Sequence, residues 1–100
     1  MSNSKQAMTG KERARLRAEA NGLDVIIQIG KSGLSENLLK QLDGALTTRE
    51  LIKGQALETS PISAREAAQQ LSDAAGAEII QVIGRRFVLY RFNPDNHDSK

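Results

Sequence analysis

The segment of this chain best suited to chemistry has a Gly-x-x-Gly pattern and consists of Gly30, Lys31, Ser32 and Gly33. It follows the apolar run 25–29 and precedes a helix signal that opens at Ser35. Glycine has no side chain to hold a ligand away, so such a turn lets the main chain approach a ligand closely. The first amides of the next helix are unpaired and carry the positive end of its dipole, and Lys31 adds a cation. The segment therefore favours a phosphate group.

The same pattern can also be a plain tight turn, and that interpretation stays open at this point. A nucleotide P-loop is excluded because its first glycine would fall at Val25, inside the apolar run. The dinucleotide pattern Gly-x-Gly-x-x-Gly is missing as well. The nearest physical analogue is the loop that clamps a nucleic-acid backbone in KH domains, although that loop joins two helices.

Composition limits the classes of protein to be considered. The 100 residues contain no cysteine, which excludes a disulfide scaffold and a thiol nucleophile and is typical of a reducing cytoplasm. The apolar runs are far shorter than the ~20 residues of a membrane-spanning helix. The first residues lack the apolar core of a secretion signal. We expect a cytoplasmic protein of one domain.

The charge is unevenly distributed although the net charge is only +2. Residues 1–33 hold six Lys or Arg against three acidic residues, residues 34–83 hold four against seven, and residues 84–100 hold four against two. If folding brings the two basic ends to one side, that side attracts a polyanion and the acidic middle repels it.

Capping signals predict three helices, at residues 10–21, 35–47 and 63–76. The first holds few large apolar residues beside Leu16 and Ala20, so it cannot be central to the core.

Alternating or β-branched runs predict four strands, at residues 25–29, 51–57, 78–83 and 86–92, the last two joined by a tight hairpin at Gly84. The element order is α-β-α-β-α-β-β, with a mixed sheet in one domain over residues 9–92. A disordered start (1–8) and a polar tail (93–100) are expected on either side.

Two further groups of cations could extend a phosphate contact. The first predicted helix carries Lys11, Arg13, Arg15 and Arg17. The predicted hairpin carries Arg85 and Arg86, with Arg91 beyond. Each group also has a plainer explanation, namely a solvated helix face or a charged turn that protects a sheet edge.

The aromatic residues argue against reading of bases by stacking. They are Phe87, Tyr90 and Phe92, and alternation along the last strand assigns most of them to the core. Without an aromatic platform, recognition should follow backbone and shape more than sequence.

Catalysis has little support in the sequence. His97 is the sole histidine and lies in the polar tail, where a bystander role is favoured over that of a base or metal ligand. The acidic residues Glu36, Asp43, Glu66 and Asp73 fall on predicted helix surfaces without a nucleophile nearby. We therefore expect a binding protein with no enzymatic activity, no cofactor and no metal site.

Three segments have a recognisable composition and order: residues 23–46, Glu50–Lys53 and Gln81–Arg91. Through these segments the chain resembles, over residues 9–92, the YhbY-like, or CRM (chloroplast RNA splicing and ribosome maturation), domain. The resemblance implies an α+β two-layer fold with a four-stranded mixed sheet, like the C-terminal domain of translation initiation factor three. It also implies RNA binding through the Gly-x-x-Gly loop and neighbouring basic residues, and association with precursors of the large ribosomal subunit.

Carried to this chain, the resemblance makes the loop the RNA contact. Two positions depart from the usual pattern: Asp24 stands where members often have proline, and Gly54 where a larger aliphatic is common. Asp24 would weaken phosphate binding if its charge lay near the loop, and Gly54 would loosen the sheet. The alternative function is a protein–protein adaptor on the ribosome or another complex, using the acidic helices and a sheet edge without direct RNA contact.

Overall fold

The structure is a computed structural model and describes residues 8–97. The expected disorder of residues 1–7 and the end of the tail, residues 98–100, lie outside this range. The elements are α1 (Gly10–Ala20), β1 (Val25–Ile29), α2 (Glu36–Arg49), β2 (Leu51–Ala56), α3 (Ala64–Ala75), β3 (Glu78–Ile83), β4 (Arg86–Tyr90) and a short 3-10 turn (Pro94–His97). This order confirms the one predicted from the sequence. Within residues 8–97 every helix is too short or too polar to cross a bilayer.

The predicted capping boxes form at α1 and α3. At α1, the Thr9 hydroxyl accepts a hydrogen bond from the Glu12 N–H at 3.1 Å, and the Glu12 carboxylate accepts one from the Thr9 N–H. Ser63 and Glu66 make the same reciprocal pair at the start of α3. These bonds satisfy amides that have no partner within the helix, which is why both helices begin where the sequence indicates.

The four strands form one mixed sheet in the order β1-β2-β4-β3. The β1 and β2 strands are parallel, whereas β4 is antiparallel to both of its neighbours. The β2 and β3 strands are therefore parallel to each other but separated by β4. The carboxyl ends of β1, β2 and β3 and the start of β4 consequently lie at one end of the sheet, called the loop end below.

The main core lies between the sheet and helices α2 and α3. Leucines of α2 and small residues of α3 pack on the sheet around the fully buried Ile27, Ile52 and Phe87. This is the α+β unit that the resemblance implies, although α1 adds a third layer on the other face of the sheet.

Helix α1 lies on the opposite face of the sheet. It buries Leu16 and Ala20 against Leu51, Ile80 and Val88 in a small second cluster. The peripheral place expected for this helix is confirmed. One short helix cannot cover a four-stranded sheet, so part of this face is left open by residues 8–97.

Gly54 does not loosen the sheet, contrary to the expectation from its size. A Cβ atom at this position would lie 2.5 Å from Cε1 of Phe87, because the aromatic ring occupies the space above the glycine. Gly54 and Phe87 are partners in the β2–β4 ladder, so the ring of Phe87 fills the space in the core that a side chain at position 54 would need.

The end of β4 differs from the sequence prediction. The strand was predicted to reach residue 92 but ends at Tyr90, and Phe92 lies beyond it and is 53% exposed. Arg91 leaves the strand to bind Asp43 at 2.9 Å and the Ala75 carbonyl at 2.8 Å. Arg91 thus joins β4 to both helices and is not part of an exposed basic cluster.

The first part of the polar tail packs on the end of α2. His97 Nε2 lies 2.9 Å from both carboxylate oxygens of Glu50 and its ring stacks on Phe92. Asn96 donates a further hydrogen bond to the same carboxylate at 3.0 Å. Burial alone would raise the pKa of Glu50, but the hydrogen bonds from His97 and Asn96 and the charge of His97 outweigh it and lower that pKa below 4.5.

Replacement of Gly54 by alanine should destabilise the protein strongly. The added methyl group meets a buried ring that cannot leave the core, so we expect a loss of about 2–3 kcal/mol in the free energy of unfolding. Gly44→Ala is the matched control, since that glycine lies in α2 with open space around it and should gain roughly 0.5–1 kcal/mol. Urea denaturation measures both values, and equal stabilities for the two variants would contradict the packing described.

Glu50→Gln should reduce the acid sensitivity of the protein. A carboxyl group whose pKa is lowered by folding contributes stability above its unfolded pKa and loses it as the pH falls through its folded pKa. The wild type should therefore lose stability below about pH 4.5 through this group, whereas the variant should not. Denaturation at pH 7 and pH 3 measures the difference, and parallel losses in both proteins would exclude a contribution from Glu50.

Candidate functional site

The Gly-x-x-Gly segment forms a tight turn at the loop end. The Gly33 N–H donates a hydrogen bond to the Gly30 carbonyl at 3.0 Å, which closes the turn. Gly33 has φ +67°, a left-handed conformation that other residues adopt with strain. A Cβ atom there would also lie 3.3 Å from Cγ of Pro61. Gly33 therefore shapes the turn and seats it against the segment between β2 and α3.

Gly30 has a different role. Its φ is not left-handed, and a Cβ atom there would meet its nearest neighbour, the Thr59 hydroxyl, at an ordinary 3.7 Å. The fold thus does not require glycine at this position. A side chain at this position would, however, cover main chain that glycine leaves accessible.

Lys31 and Ser32 form the exposed tip of the turn. Within the described part of the chain, their N–H groups make no backbone hydrogen bond. The tip therefore offers two amide donors, a hydroxyl and an ammonium group to one ligand. Oxygen-rich anions such as phosphate match that set of donors.

Helix α2 begins directly after the turn and points its amino terminus toward it. The Ser35 hydroxyl accepts a hydrogen bond from the Leu38 N–H at 3.1 Å, as predicted for its cap. The positive end of a helix of 14 residues adds to the field of Lys31. Glu36 in the first turn of α2 opposes this field, so the turn is a moderate rather than a strong anion site.

The hairpin between β3 and β4 lies close to this turn. The Leu57 N–H donates to the Ile29 carbonyl at 2.9 Å, and the Ala56 N–H donates to the Arg85 carbonyl at 2.8 Å. The end of β2 thus connects the two loops. They lie about 10 Å apart, because two strand spacings separate β1 from β4. The structure brings the Gly-x-x-Gly turn and the predicted basic hairpin together.

The two arginines of the hairpin differ in their surroundings. Arg85 lies 3.7 Å from the Glu58 carboxylate, but both side chains are largely exposed, so the ion pair contributes little and can open. Arg86 is exposed on the face of the sheet that also carries α1. Both cations are therefore accessible to a polyanion at the loop end.

The cations of α1 do not gather at the loop end. Arg13 donates to the Ile79 carbonyl at 2.6 Å and lies 3.8 Å from Glu78, at the start of β3 and thus at the far end of the sheet. Lys11 lies still nearer the amino terminus of the same helix. Arg15 forms an ion pair with Glu19 at 3.0 Å.

Arg17 lies on the same side of α1 as Arg13, since the two are four residues apart. It is one helical turn, about 5.4 Å, nearer the loop end. Of the four cations predicted on α1, Arg17 is therefore the one best placed to continue the basic surface of the hairpin.

Asp24 does not act on the turn. It precedes β1, whereas the turn follows β1, and the five strand residues between Asp24 and Gly30 place the two about 20 Å apart. This is about twice the Debye length in physiological salt, so the charge of Asp24 is screened. The structure therefore removes the condition under which Asp24 was expected to weaken phosphate binding, namely a charge near the loop.

Sequence reasoning missed Lys53. It lies in β2 on the same face as α1 and lines a cleft with Arg86 and the carboxyl end of that helix. The signal that could have identified it is the alternation of a charged residue with buried residues in a central strand. Among residues 8–97, no three metal-ligating side chains come together.

Comparison with known proteins gives the family of this fold. Residues 8–91 match the CRS1 / YhbY (CRM) domain. The Bacillus subtilis protein named Probable RNA-binding protein YqeI is 36% identical over 89 residues, covering 89% of this chain and 93% of that protein. Probable RNA-binding protein MJ0652 of Methanocaldococcus jannaschii is 35% identical over 89 residues, covering 87% of this chain and 66% of that protein.

A solved structure shows the same architecture. The solution structure of the hypothetical protein SAV1595 from Staphylococcus aureus superimposes with a TM-score of 0.72 at 44% identity, covering 86% of this chain and 90% of that chain. The fold class predicted from the sequence is thereby confirmed, and both relatives carry the name of a probable RNA-binding protein. The resemblance noted in the sequence is confirmed as well: this chain belongs to the CRS1 / YhbY (CRM) domain family.

Proposed function

We propose that this protein binds RNA through the Gly30–Gly33 turn and acts in the assembly of the large ribosomal subunit in the cytoplasm. In this proposal, Gly30 lets the sugar–phosphate backbone approach the main chain. Lys31 and Ser32 supply phosphate contacts, and Arg85 and Arg86 extend the contact to the next phosphates.

The observation that carries the proposal is the common position of two loops. The turn with its free amides and the hairpin with its two arginines lie side by side at one end of the sheet, joined by the hydrogen bonds of Ala56 and Leu57. Two separate phosphate contacts about 10 Å apart fit a polymer of phosphates better than a single small anion. The names of the relatives support RNA as that polymer.

The cations of α1 have a smaller part in this proposal than in the sequence interpretation. Arg13 and Arg15 are paired with acidic residues, and Lys11 lies near the far end. They contribute to a diffuse attraction that falls steeply with salt, together with Arg17. The direct contact remains with the loop end.

Variants of the turn test the RNA contact. Lys31→Ala should weaken binding of protein-free ribosomal RNA several-fold and make the slope of log affinity against log salt shallower by about 0.7, the loss of one phosphate contact. Arg49→Ala is the matched control, because Arg49 is an exposed cation at the opposite end of α2. Equal losses of affinity in the two variants would show that Lys31 acts only through the general positive charge of the protein and not through a contact at the turn.

Gly30→Asp tests access to the main chain. The added carboxylate should reduce affinity at least tenfold by obstruction and repulsion, while the melting temperature stays near that of the wild type since the space around Gly30 is sufficient. Gly44→Asp adds the same charge on the exposed side of α2 and should bind nearly as well as the wild type. A folded Gly30→Asp variant with full affinity would refute the role of the turn.

Gradient sedimentation of a tagged protein tests the role in assembly. We expect the protein in fractions that contain precursors of the large subunit, and we expect Gly30→Asp to leave those fractions for the top of the gradient. A wild type that sediments with precursors yet does not bind protein-free RNA would instead identify an adaptor that contacts ribosomal proteins.

A further inference from the structure

The half of the sheet face that α1 leaves open carries a row of side chains across all four strands. Gln28, Gln55, Arg86 and Ile83 are cross-strand partners in β1, β2, β4 and β3. At about 4.8 Å for each strand spacing, the row is about 14 Å wide. Gln28 is two residues before Gly30, so the row continues directly from the Gly-x-x-Gly turn.

A cleft lies next to this row, where α1 ends over the sheet. It has a volume of about 170 Å³, and its lining includes the amides of Asn21 and Gln81, the cations of Lys53 and Arg86, and Ile83. Ile83 is 62% exposed, one of the two large apolar side chains that are exposed within residues 8–97. The cleft thus combines amide groups, positive charge and an apolar surface in one place.

The two cations of the cleft have no direct carboxylate partner among residues 8–97, and the nearest acidic side chain on this part of the sheet is that of Asp24, which shares a neighbouring pocket with Lys53. No carboxylate belongs to its lining, and neither Lys53 nor Arg86 forms an ion pair with any residue between 8 and 97. Two cations that line one cleft with no carboxylate in its lining favour an anionic ligand. The amide groups of Asn21 and Gln81 can both donate and accept hydrogen bonds, as the edge of a nucleobase requires.

We propose that this cleft receives one unpaired nucleotide of the RNA whose backbone is bound at the Gly30–Gly33 turn. Lys53 and Arg86 hold the phosphate of this nucleotide, Gln81 and Asn21 bond the edge of its base, and Ile83 contacts the base face. The inference rests on the proposed function and names the class of RNA that this function requires: a helix with a bulge, a loop or a single-stranded junction.

The size and chemistry of the cleft favour a single nucleotide over a free small molecule or a fully paired duplex. Pockets for free small molecules usually have about 300–1,000 Å³, so a cleft of this size suits a base that is one part of a larger bound polymer. Paired bases cannot offer their edges to the amides, whereas the bases of unpaired nucleotides can be turned out of the helix. A fully paired duplex would use the cations only.

The experiment compares two RNA duplexes that differ by one nucleotide. One is fully paired, and the other has the same sequence with a single-nucleotide bulge at its centre. At equal salt we expect the wild type to bind the bulged duplex at least fivefold more tightly. Gln81→Leu should reduce this ratio to near one with little change in affinity for the paired duplex, because it removes the bond to the base alone.

Matched variants separate the cleft from general effects. Lys53→Met keeps the length of the side chain without the charge and should weaken binding of the bulged duplex more than that of the paired one. Gln70→Leu is the same glutamine-to-leucine substitution on the exposed side of α3, across the sheet from the cleft. This variant should keep the wild-type ratio of affinities for the bulged and paired duplexes. Loss of the preference in Gln70→Leu as well would overturn the assignment to the cleft.

Amide resonances of the unmodified protein provide a readout that does not depend on the folding of a variant. Addition of the bulged duplex should shift the resonances of Gln81 and Ile83, and the paired duplex should leave these two in place while it shifts those of the turn, the hairpin and Lys53. Equal affinity of the wild type for both duplexes, with no shift at Gln81 or Ile83, would refute the inference while the proposed function stands. Binding of neither duplex nor of ribosomal RNA would refute both.

Discussion

The parallel pairing of β1 with β2 is the constraint on which the candidate site depends. It places the Gly30–Gly33 turn beside the segment that follows β2, where Pro61 packs against Gly33. Because β4 runs antiparallel to β2, the hairpin that begins β4 arrives at the same end of the sheet. Two loops that are more than 50 residues apart in the sequence thus share one surface.

The two glycines of the turn illustrate how one motif divides into structural and functional parts. Gly33 has a left-handed backbone and a close neighbour, so it is required by the fold itself. Gly30 is under neither constraint, and in the proposed function its small size leaves the main chain accessible to RNA. The difference explains why Gly30 is the informative position for substitution, although the motif alone makes the two glycines equivalent.

Helix α1 is short, and its length as well as its charge determines the surface on its side of the sheet. Its few apolar residues cover the half of the sheet that contains Leu51, Ile80 and Val88. The other half keeps its amides and cations in solvent, next to the turn. A longer and more apolar helix here would have buried this surface and removed the cleft.

Local sequence determined the elements of this protein, because caps, alternation and tight turns act over only a few residues. The capping boxes at Thr9 and Ser63, the run from Val25 to Ile29 and the hairpin at Gly84 all occur as predicted. The Gly-x-x-Gly motif was evident for the same reason. The match to the family followed from the order of these segments.

Only the tertiary structure decided which cations lie at the candidate site and which are bound elsewhere. Arg91 and Arg13 resemble other exposed cations in the sequence, yet one joins β4 to the two helices and the other bonds the start of β3. Lys53, which looks like an ordinary strand residue, instead lines the cleft beside Arg86. The physical reason is that a cation takes its role from the acceptors within reach of its side chain, and strand order and helix placement bring those acceptors from distant parts of the chain.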